Sequence, residues 1–251
     1  NMQEGERKSN GTLGVIGVGT IAKATILGIS ETSFFDNIVV SPRGAQNVKD
    51  LLTRLGSTSP GSKANYLIPA KTNQEVVDKA DWVMLAVLPK QAEEVLKALT
   101  FTKSHKVLTL VATVPSKSIL DLIAPCETLC RAVPLPAVAE RSCVTIVSPK
   151  GEDFTGQVSD MFDLLGGSVV ARDDDECAIL QATTCLMGPF YRMQQECMSW
   201  LKDKGINQKI GSKYLAGMFL GIARDSQTYY CAQQQLATSE SYINIRRLTT
   251  T

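Results

Sequence analysis

Two glycines at the end of the first apolar run are the residues whose type and spacing point most directly to chemistry. The run and its continuation are Gly14-Val15-Ile16-Gly17-Val18-Gly19-Thr20-Ile21-Ala22, in which Ala22 takes the position of a third glycine. Glycine lets the chain turn sharply and brings backbone N–H groups close to a ligand. Because a helix is predicted to begin near Thr20, its positive end would face the same point. The pattern predicts a site for the diphosphate of a nicotinamide dinucleotide.

The end of the second predicted strand indicates which nucleotide the site would prefer. An NAD-specific site normally carries a carboxylate there, about 20 residues after the glycines, to bind the ribose hydroxyls. This chain has Ser41-Pro42-Arg43 instead. A serine hydroxyl and an arginine guanidinium suit a 2′-phosphate through charge-assisted hydrogen bonds. We therefore expect NADP(H) to be preferred over NAD(H), and the alternative is a solvated turn arginine.

Two further strand ends are candidates for the nicotinamide position. Leu85-Ala86-Val87-Leu88-Pro89 and Val111-Ala112-Thr113 each follow an apolar strand. In doubly wound sheets ligands lie at the carboxyl ends of the strands. These small apolar side chains could flank a nicotinamide ring, and the alternative is that both stretches are simply buried strand ends.

Proton donors are scarce near these segments, which limits the reactions that the site could run. Reduction of a ketone usually needs an acid beside the hydride. The chain has a single histidine, His105, which precedes a predicted strand and is therefore expected at the far edge of the sheet as a surface or structural residue, and it has no Tyr-x-x-x-Lys pair. An iminium substrate needs no such acid, because its nitrogen already carries the proton. Catalysis would then rest on positioning and exclusion of water, and no catalytic residue is assigned.

Composition and charge exclude several classes of partner. The 251 residues are 44% apolar with a formal net charge of +1, and Lys and Arg are spread along the chain, so no nucleic-acid or anionic-lipid surface is expected. No apolar run approaches the roughly 18 residues of a membrane span, and the polar first ten residues contain no signal-peptide core, so we expect a cytoplasmic location. The seven cysteines include no CxxC pair, and we expect reduced thiols and no metal site.

Alternating strands and helices between Thr12 and Ala171 predict a Rossmann-type, doubly wound α/β domain over residues 1–171, with a right-handed βαβ series and a parallel sheet. The segment 82–87 is apolar on both faces, which is typical of a central strand covered by helices on each side. A helix over residues 44–55 has its apolar residues on one face. The predicted strands are residues 12–16, 37–41, 65–69, 82–87, 106–111, 128–133, 144–148 and 168–171.

Residues 172–251 are predicted to form a smaller, all-α dimerisation domain. The acidic run Asp173-Asp174-Asp175-Glu176 suits the N-terminus of a long helix, Gly205 suits its left-handed cap, and a further helix is expected over residues 209–223. A helix of about 30 residues would be about 45 Å long, too long to be covered by its neighbours in the chain. We therefore expect a homodimer in which the helices of a second subunit complete the burial.

These residues resemble those of the pyrroline-5-carboxylate reductases, which reduce a cyclic imino acid to proline with NAD(P)H. The resemblance covers nearly the whole chain. In the helical part Gly188-Pro189-Phe190-Tyr191 is similar to the family's Gly-Pro-Ala-Tyr, and Pro189 would kink the long helix. In the first domain the resemblance is carried by residues 16–22, 41–43, 72–77, 80–81, 85–89 and 131–134.

The resemblance implies an activity and a set of site residues. The activity is NADPH-preferring reduction of a small cyclic imine or imino acid, 1-pyrroline-5-carboxylate to proline or a related compound, by direct hydride transfer. It also implies that the helical domain interlocks with its twin. The cofactor would be lined by Gly17, Gly19, Thr20, Ile21, Ser41, Arg43, Asn73, Ala86, Val87, Leu88, Pro89, Ala112 and Thr113. The substrate would be bound by Gly188, Pro189, Tyr191, Thr238 and Ser239.

One loop departs from the family's pattern, and two other functions stay open, one because of this loop and one because it shares a Rossmann half and a helical partner. The family's Thr-Ser-Pro-Gly-Gly-Thr is represented by Thr238-Ser239-Glu240-Ser241-Tyr242-Ile243, which lacks both glycines and adds a negative charge. A non-catalytic, NADPH-responsive binding protein is therefore one alternative, with Thr238 and Ser239 as helix-capping hydroxyls. The other is a β-hydroxyacid-type dehydrogenase, although that class needs a lysine on the long helix and residues 173–201 contain none.

Overall fold

A single eight-stranded sheet organises the part of the chain that this computed structural model describes, residues 10–56 and 66–230. Its strands are β1 Thr12–Ile16, β2 Asn37–Val40, β3 Leu67–Pro69, β4 Trp82–Leu85, β5 Lys106–Thr109, β6 Leu129–Val133, β7 Thr145–Ser148 and β8 Ser168–Val170. Their order across the sheet is β3-β2-β1-β4-β5-β6-β7-β8. The strand order reverses at β1, so the edge of the sheet beside it is the topological switch point at which doubly wound folds bind nucleotides.

Six α-helices of the described residues alternate with the strands, and three follow the last strand. They are α1 Thr20–Ser30, α2 Ala45–Gly56, α3 Asn73–Asp78, α4 Pro89–Lys97, α5 Ser116–Ile123, α6 Asp153–Asp163, α7 Asp174–Ala182, α8 Met187–Asp203 and α9 Gln208–Tyr230. Two short 3₁₀ helices lie at Pro136–Glu140 and Thr183–Leu186. The helix predicted over residues 44–55 thus corresponds to α2, and the one predicted over 209–223 lies within α9.

The core is divided between the two faces of the sheet. Alternate residues of a strand point to opposite faces, and on β4 Trp82 and Met84 pack with α1, α2 and α6 while Val83 and Leu85 pack with α3, α4 and α5. All four are at most 1% exposed. The ring of Trp82 meets that of Phe154 edge to face, with centroids 4.6 Å apart. The predicted central strand with helices on both sides is confirmed.

β6 and β7 are antiparallel, which corrects the prediction of a parallel sheet throughout. Ala132 pairs with Val147, and Val133 with Ile146. The segment between the two strands holds only the 3₁₀ helix Pro136–Glu140, whereas a parallel connection needs a longer crossover, usually an α-helix. The other strand pairs of the sheet are parallel, and the predicted fold class, a doubly wound α/β sheet followed by helices, is confirmed.

The long helix predicted after Asp173 is interrupted by the 3₁₀ helix Thr183–Leu186. The cause is Pro189, which lacks an N–H and whose ring would collide with the carbonyl of Cys185 in a continuous α-helix. At the third position of α8 the missing N–H has no consequence, because the first turn of a helix has no acceptor for it. Pro189 therefore lies in the first turn of a new helix, and the predicted kink stays a prediction. The predicted left-handed cap is confirmed, with φ of +78° at Gly205.

The chain divides into two compact units, one ending at Thr183 and the other beginning at Thr184. We call them the sheet unit and the helical unit. α7 belongs to the sheet unit, where Asp174 accepts a hydrogen bond from the N–H of Ser116 at the start of α5. The described part of the helical unit consists mainly of α8 and α9, which pack against each other. A functional boundary at residues 171/172 stays a prediction.

Residues 10–56 and 66–230 contain no candidate membrane-spanning helix, metal site or disulfide. No helix there has the length and apolar character needed to cross a bilayer, and no cluster of His, Cys, Asp and Glu there could hold a metal ion. The described cysteines are free thiols, of which Cys126, Cys130 and Cys177 are buried and Cys185 is exposed. Burial raises the pKa of Cys130 to about 12, so this thiol stays protonated at neutral pH.

Candidate functional site

A cavity of about 710 Å³ lies in the sheet unit, at the carboxyl ends of the strands on both sides of β1. This is the position that the strand order singles out for a nucleotide. The structure brings together every residue that the sequence assigned to the cofactor, since the wall of the cavity includes Gly17, Gly19, Thr20, Ile21, Ser41, Arg43, Asn73, Ala86, Val87, Leu88, Pro89, Ala112 and Thr113.

The glycine turn after β1 is shaped differently at its two glycines. Gly17 has φ of +91°, and a Cβ atom there would lie 2.7 Å from the carbonyl oxygen of Ala86. Only glycine fits such a position without strain. A Cβ at Gly19 would meet no protein atom within 4 Å. Packing therefore requires glycine at Gly17 but not at Gly19, where the backbone borders open cavity.

The N-terminus of α1 presents backbone N–H groups to this cavity. Gly19 caps the helix without a side-chain hydrogen bond, and no acidic residue lies in the first turn. The main-chain bond from Lys23 N–H to the Gly19 carbonyl oxygen leaves the amides of Thr20, Ile21 and Ala22 without a helical acceptor. Because the helix dipole adds partial positive charge at the same end, the site suits a diphosphate.

Ser41 in the loop after β2 and Asn47 on α2 hold the glycine turn from two sides. The Oγ of Ser41 accepts a hydrogen bond from the N–H of Gly17 at 3.0 Å, and Ser41 is 1% exposed. The Nδ2 of Asn47 donates to the carbonyl oxygen of Val18 at 2.8 Å. Ser41 is therefore first a support for the turn, a role that the sequence did not indicate. The exposed guanidinium of Arg43, which also lines the cavity, is the cation available to a 2′-phosphate.

Asn73, at the first position of α3, lines the cavity and has a buried polar atom without a partner. The hydroxyl of Thr72 caps this helix by accepting from the N–H of Glu75 at 3.1 Å, so the Asn73 side chain does not serve as the cap. The Oδ1 of Asn73 is buried and has no hydrogen-bond partner within the protein. Leaving such an acceptor unsatisfied costs about 1–3 kcal/mol.

The ends of β4 and β5 form an apolar part of the wall. Pro89 is the first residue of α4, where the proline ring is compatible with a helix and its missing N–H has no consequence. Leu88 before it is 57% exposed and borders the cavity. Among the lining residues that the structure describes, Arg43 is the one ionisable side chain. This wall offers no acid for proton transfer.

His105 lies at the opposite edge of the sheet, immediately before β5, as the sequence predicted. Its Nδ1 accepts a hydrogen bond from the N–H of Thr102 at 2.9 Å, and its ring meets that of Phe101 with centroids 5.9 Å apart. With 8% exposure it is a structural residue and not a surface one. It takes no part in the wall of the cavity.

Several lining residues were missed by the sequence analysis. Val133 and Pro134 follow the same rule as the predicted ones, since they stand at the carboxyl end of β6. The rule of strand ends could therefore have found them. Gln91 lines the cavity from the first turn of α4, and Asn47 supports the turn from α2. Neither leaves a sequence signal, because the direction of a polar helical side chain depends on packing.

The residues predicted to bind the substrate are placed only in part. Gly188, Pro189 and Tyr191 lie in the first turns of α8 in the helical unit, where Tyr191 is 56% exposed. Thr238 and Ser239 lie outside the described residues. Their shared role stays a prediction.

Comparison with known proteins agrees with the geometry of the cavity. Residues 12–115 match the family model described as NADP oxidoreductase coenzyme F420-dependent. The matched segment runs from β1 to the loop after β5 and so contains the glycine turn and Arg43. No curated protein sequence matches the chain.

Solved structures of similar fold include enzymes that reduce imines. Pyrroline-5-carboxylate reductase from Streptococcus pyogenes is 19% identical, with a TM-score of 0.73 over 97% of this chain and 93% of its own. The Plasmodium falciparum pyrroline carboxylate reductase, solved with NADP bound, is 15% identical, with a TM-score of 0.67 over 85% of this chain and 77% of its own. An imine reductase from Streptomyces aurantiacus is 14% identical, with a TM-score of 0.58 over 88% of this chain and 77% of its own. The resemblance predicted from the sequence is confirmed: the chain is a divergent protein with the fold of the pyrroline-5-carboxylate reductases, and its residues 12–115 match an NADP oxidoreductase family.

Proposed function

We propose that the protein is an NADPH-preferring oxidoreductase that reduces a small cyclic imine or imino acid, such as 1-pyrroline-5-carboxylate, by direct hydride transfer. The observation that carries the proposal is the cavity at the carboxyl edge of the sheet, which gathers all the residues expected to line the cofactor. A cytoplasmic location and a role in proline biosynthesis belong to the same proposal.

The apolar wall favours an imine over a ketone as the substrate. The lining residues would hold NADPH, and the chemistry it would supply there is a hydride for the imine carbon, with the C=N π electrons passing to nitrogen. An iminium nitrogen already carries its proton, so the product amine forms without an acid from the protein. The described wall contains no carboxylate, histidine, tyrosine or lysine. Ala86, Leu88 and Ala112 would orient the nicotinamide and exclude water from it.

The preference for NADPH is assigned to the loop after β2. Arg43 is exposed, and no carboxylate in the cavity wall competes for its charge. The guanidinium would bind the 2′-phosphate through charge-assisted hydrogen bonds. Ser41 supports this role because its bond to the N–H of Gly17 ties the 2′-phosphate loop to the diphosphate turn.

The helical unit would form a homodimer through α8 and α9 and complete the substrate site. Large apolar side chains on these helices are left uncovered, for example Trp200 at 60%, Ile210 at 65% and Tyr214 at 67% exposure. A second copy of the chain would bury them, as isologous dimers do. Gly188, Pro189, Tyr191, Thr238 and Ser239 are the proposed substrate contacts.

Stopped-flow absorbance tests the reaction directly. With enzyme in excess over NADPH and saturating 1-pyrroline-5-carboxylate, we expect a single turnover in which the absorbance of the reduced nicotinamide is lost and proline appears in equal amount. The Gly19→Ala variant, whose added methyl group would touch no protein atom but would lie next to the diphosphate, serves as the matched control and should turn over more slowly at limiting NADPH. Tight NADPH binding without hydride loss on a panel of imines, aldehydes and keto acids would reject the enzyme and favour a non-catalytic NADPH-binding protein.

A further inference from the structure

A buried guanidinium holds the loop between β5 and α5. Arg131, on β6, is 2% exposed. Its Nη1 donates to the carbonyl oxygen of Val111 at 2.7 Å, and its Nη2 donates to the carbonyl oxygen of Val114. Ala112 and Thr113, which line the cavity, lie between these two carbonyls. One side chain therefore fixes both ends of the loop segment that borders the nicotinamide end.

Asp174, the first residue of α7, keeps that guanidinium in place. Its carboxylate accepts from the Nε of Arg131 at 3.1 Å and from the N–H and hydroxyl of Ser116 at 2.8 Å each. The Oγ of Ser116 in turn accepts from the Nη2 of Arg131 at 3.0 Å. Burial alone would raise the pKa of Asp174, but the hydrogen bonds from Ser116 and the charge of Arg131 outweigh it and lower the pKa. A charged carboxylate is what a buried guanidinium requires.

Apart from this network, the loop is held at one end by Val111, which is 2% exposed and whose N–H donates to the hydroxyl of Thr109 at 3.1 Å. Residues 110–115 contain no helix or strand, so main-chain ladders do not fix Ala112 and Thr113. The start of α5 has no side-chain cap of its own, and Asp174 from α7 binds the N–H of Ser116 there instead. The same carboxylate thus anchors the helix that follows the loop and the guanidinium that clamps it.

We propose that Arg131 and Asp174 are positioning residues for the nicotinamide half of the cofactor. The proposal rests on the proposed function, because it requires the cavity to hold NADPH. Neither residue lines the cavity, so both act through Ala112 and Thr113. The loop after β2, where the 2′-phosphate would bind, takes no part in these hydrogen bonds. The two ends of the cofactor should therefore respond differently when the network is broken.

Calorimetry with two probes tests this separation. Adenosine 2′,5′-bisphosphate carries the 2′-phosphate and the adenosine-side phosphate of the diphosphate but no nicotinamide half, whereas NADPH also reaches the loop. We expect Asp174→Asn and Arg131→Lys to weaken NADPH binding by at least about tenfold, the worth of one charge-assisted hydrogen bond. Binding of the bisphosphate should stay within about twofold, below the effect of a single hydrogen bond. Asp121→Asn is the matched control, because it breaks an exposed ion pair with Lys117 on the same α5, and it should change neither affinity.

Equal weakening of both probes, or of neither, overturns the positioning role. If Asp174→Asn does not fold, the variant Ser116→Ala replaces it, and amide hydrogen exchange of the ligand-free protein replaces calorimetry. We expect Ser116→Ala to speed exchange in peptides containing Ala112 and Thr113 and to leave peptides of the Gly17–Gly19 turn unchanged. Unchanged exchange at Ala112 and Thr113 would contradict the proposal. A wild-type protein that binds neither probe rejects the proposed function instead, and the exchange measurement still decides whether the network holds the loop.

Discussion

The sheet unit and the helical unit differ in how far each covers its own apolar side chains. In the sheet unit helices of the same unit cover both faces of the central strands, and residues such as Trp82 and Leu85 are at most 1% exposed, although Val169 on the edge strand β8 is 43% exposed. Among the described residues of the helical unit, Leu215 is the one buried apolar side chain. Small helical units have too much surface for their volume to bury an apolar face alone. The cavity is thus formed within one unit, whereas the apolar side chains of the described helical unit stay exposed, and it is these that the proposed dimer would cover.

The largest effect is expected at Gly17, where the glycine turn of the sheet unit packs directly against the carbonyl group of Ala86. Alanine there would combine a left-handed backbone with a Cβ 2.7 Å from the Ala86 carbonyl oxygen. We expect Gly17→Ala to lower the free energy of unfolding by about 2–4 kcal/mol and to abolish NADPH binding. Chemical denaturation and calorimetry measure the two effects.

Gly19→Ala is the matched partner, because its Cβ would meet no protein atom within 4 Å. The stability of this variant should equal that of the wild type to within about 0.5 kcal/mol. Its affinity for NADPH should nevertheless fall, since the methyl group occupies space next to the diphosphate. A stable Gly19→Ala protein with unchanged affinity would show that the turn does not approach the nucleotide.

The next effect concerns the helical unit. Tyr214 is 67% exposed on α9 and would be buried in the proposed dimer. We expect Tyr214→Glu to weaken self-association by at least about thirtyfold, because a buried interface tyrosine is typically worth about 2 kcal/mol or more. Sedimentation equilibrium measures it. Leu52→Glu, at a 39% exposed position of the sheet unit, is the control and should leave association unchanged. A wild-type protein that stays monomeric would contradict the proposal that a second copy covers the helical unit.

A smaller effect is expected at Arg43, which separates the two nucleotides. Arg43→Ala should weaken NADPH by about tenfold or more and leave NADH within about twofold, because NADH has no 2′-phosphate to lose a charge-assisted hydrogen bond. Parallel titrations with both nucleotides measure the ratio. Lys49→Ala, an exposed cation on α2 outside the cavity wall, should alter neither affinity. Equal losses for both nucleotides would remove the assigned role.

The smallest perturbation is alkylation of the thiols. It compares how well the sheet unit and the helical unit bury their cysteines, without changing the sequence. Exposed Cys185 in the helical unit should react with iodoacetamide at pH 8, whereas Cys130 should react only on unfolding. Burial raises the pKa of Cys130 to about 12, above its unfolded value, so its contribution to stability is complete at neutral pH and is lost as the pH rises from about 9 towards 12. Mass spectrometry of the peptides locates the label. Rapid labelling of Cys130 in the folded protein would contradict the described core.

The sequence predicted the sheet unit well because its signals are local and repeated. Each strand is an apolar run, and the carboxyl-end rule then brings residues as distant as Gly17 and Thr113 into one cavity. The reversed direction of β7 was not predictable by the same logic, because a β-branched run does not specify whether its neighbour is parallel. The length of its connection to β6 was the signal that could have indicated it.

The residues that hold the cavity wall in place were harder to predict than the residues that line it. Ser41 was singled out for a phosphate, yet its hydroxyl accepts from the N–H of Gly17. Arg131 and Asp174 are 43 positions apart and meet because α7 packs against the sheet within the sheet unit. Their partners are main-chain carbonyls and a serine, which carry no pattern. Pro189 was easier to interpret, because a proline inside a predicted helix indicates a disturbance of that helix. The structure was needed only to show that the disturbance is a 3₁₀ turn between two helices.

The central claim is that the cavity of the sheet unit binds NADP(H), and a calorimetric titration of the folded wild-type protein with NADPH and then NADH tests it most directly. The account predicts one site per chain and an affinity for NADPH at least about tenfold higher than for NADH, the factor expected of one charge-assisted contact to the 2′-phosphate. Absence of binding heat and of measurable affinity for both nucleotides, in protein shown to be folded by circular dichroism, would contradict it.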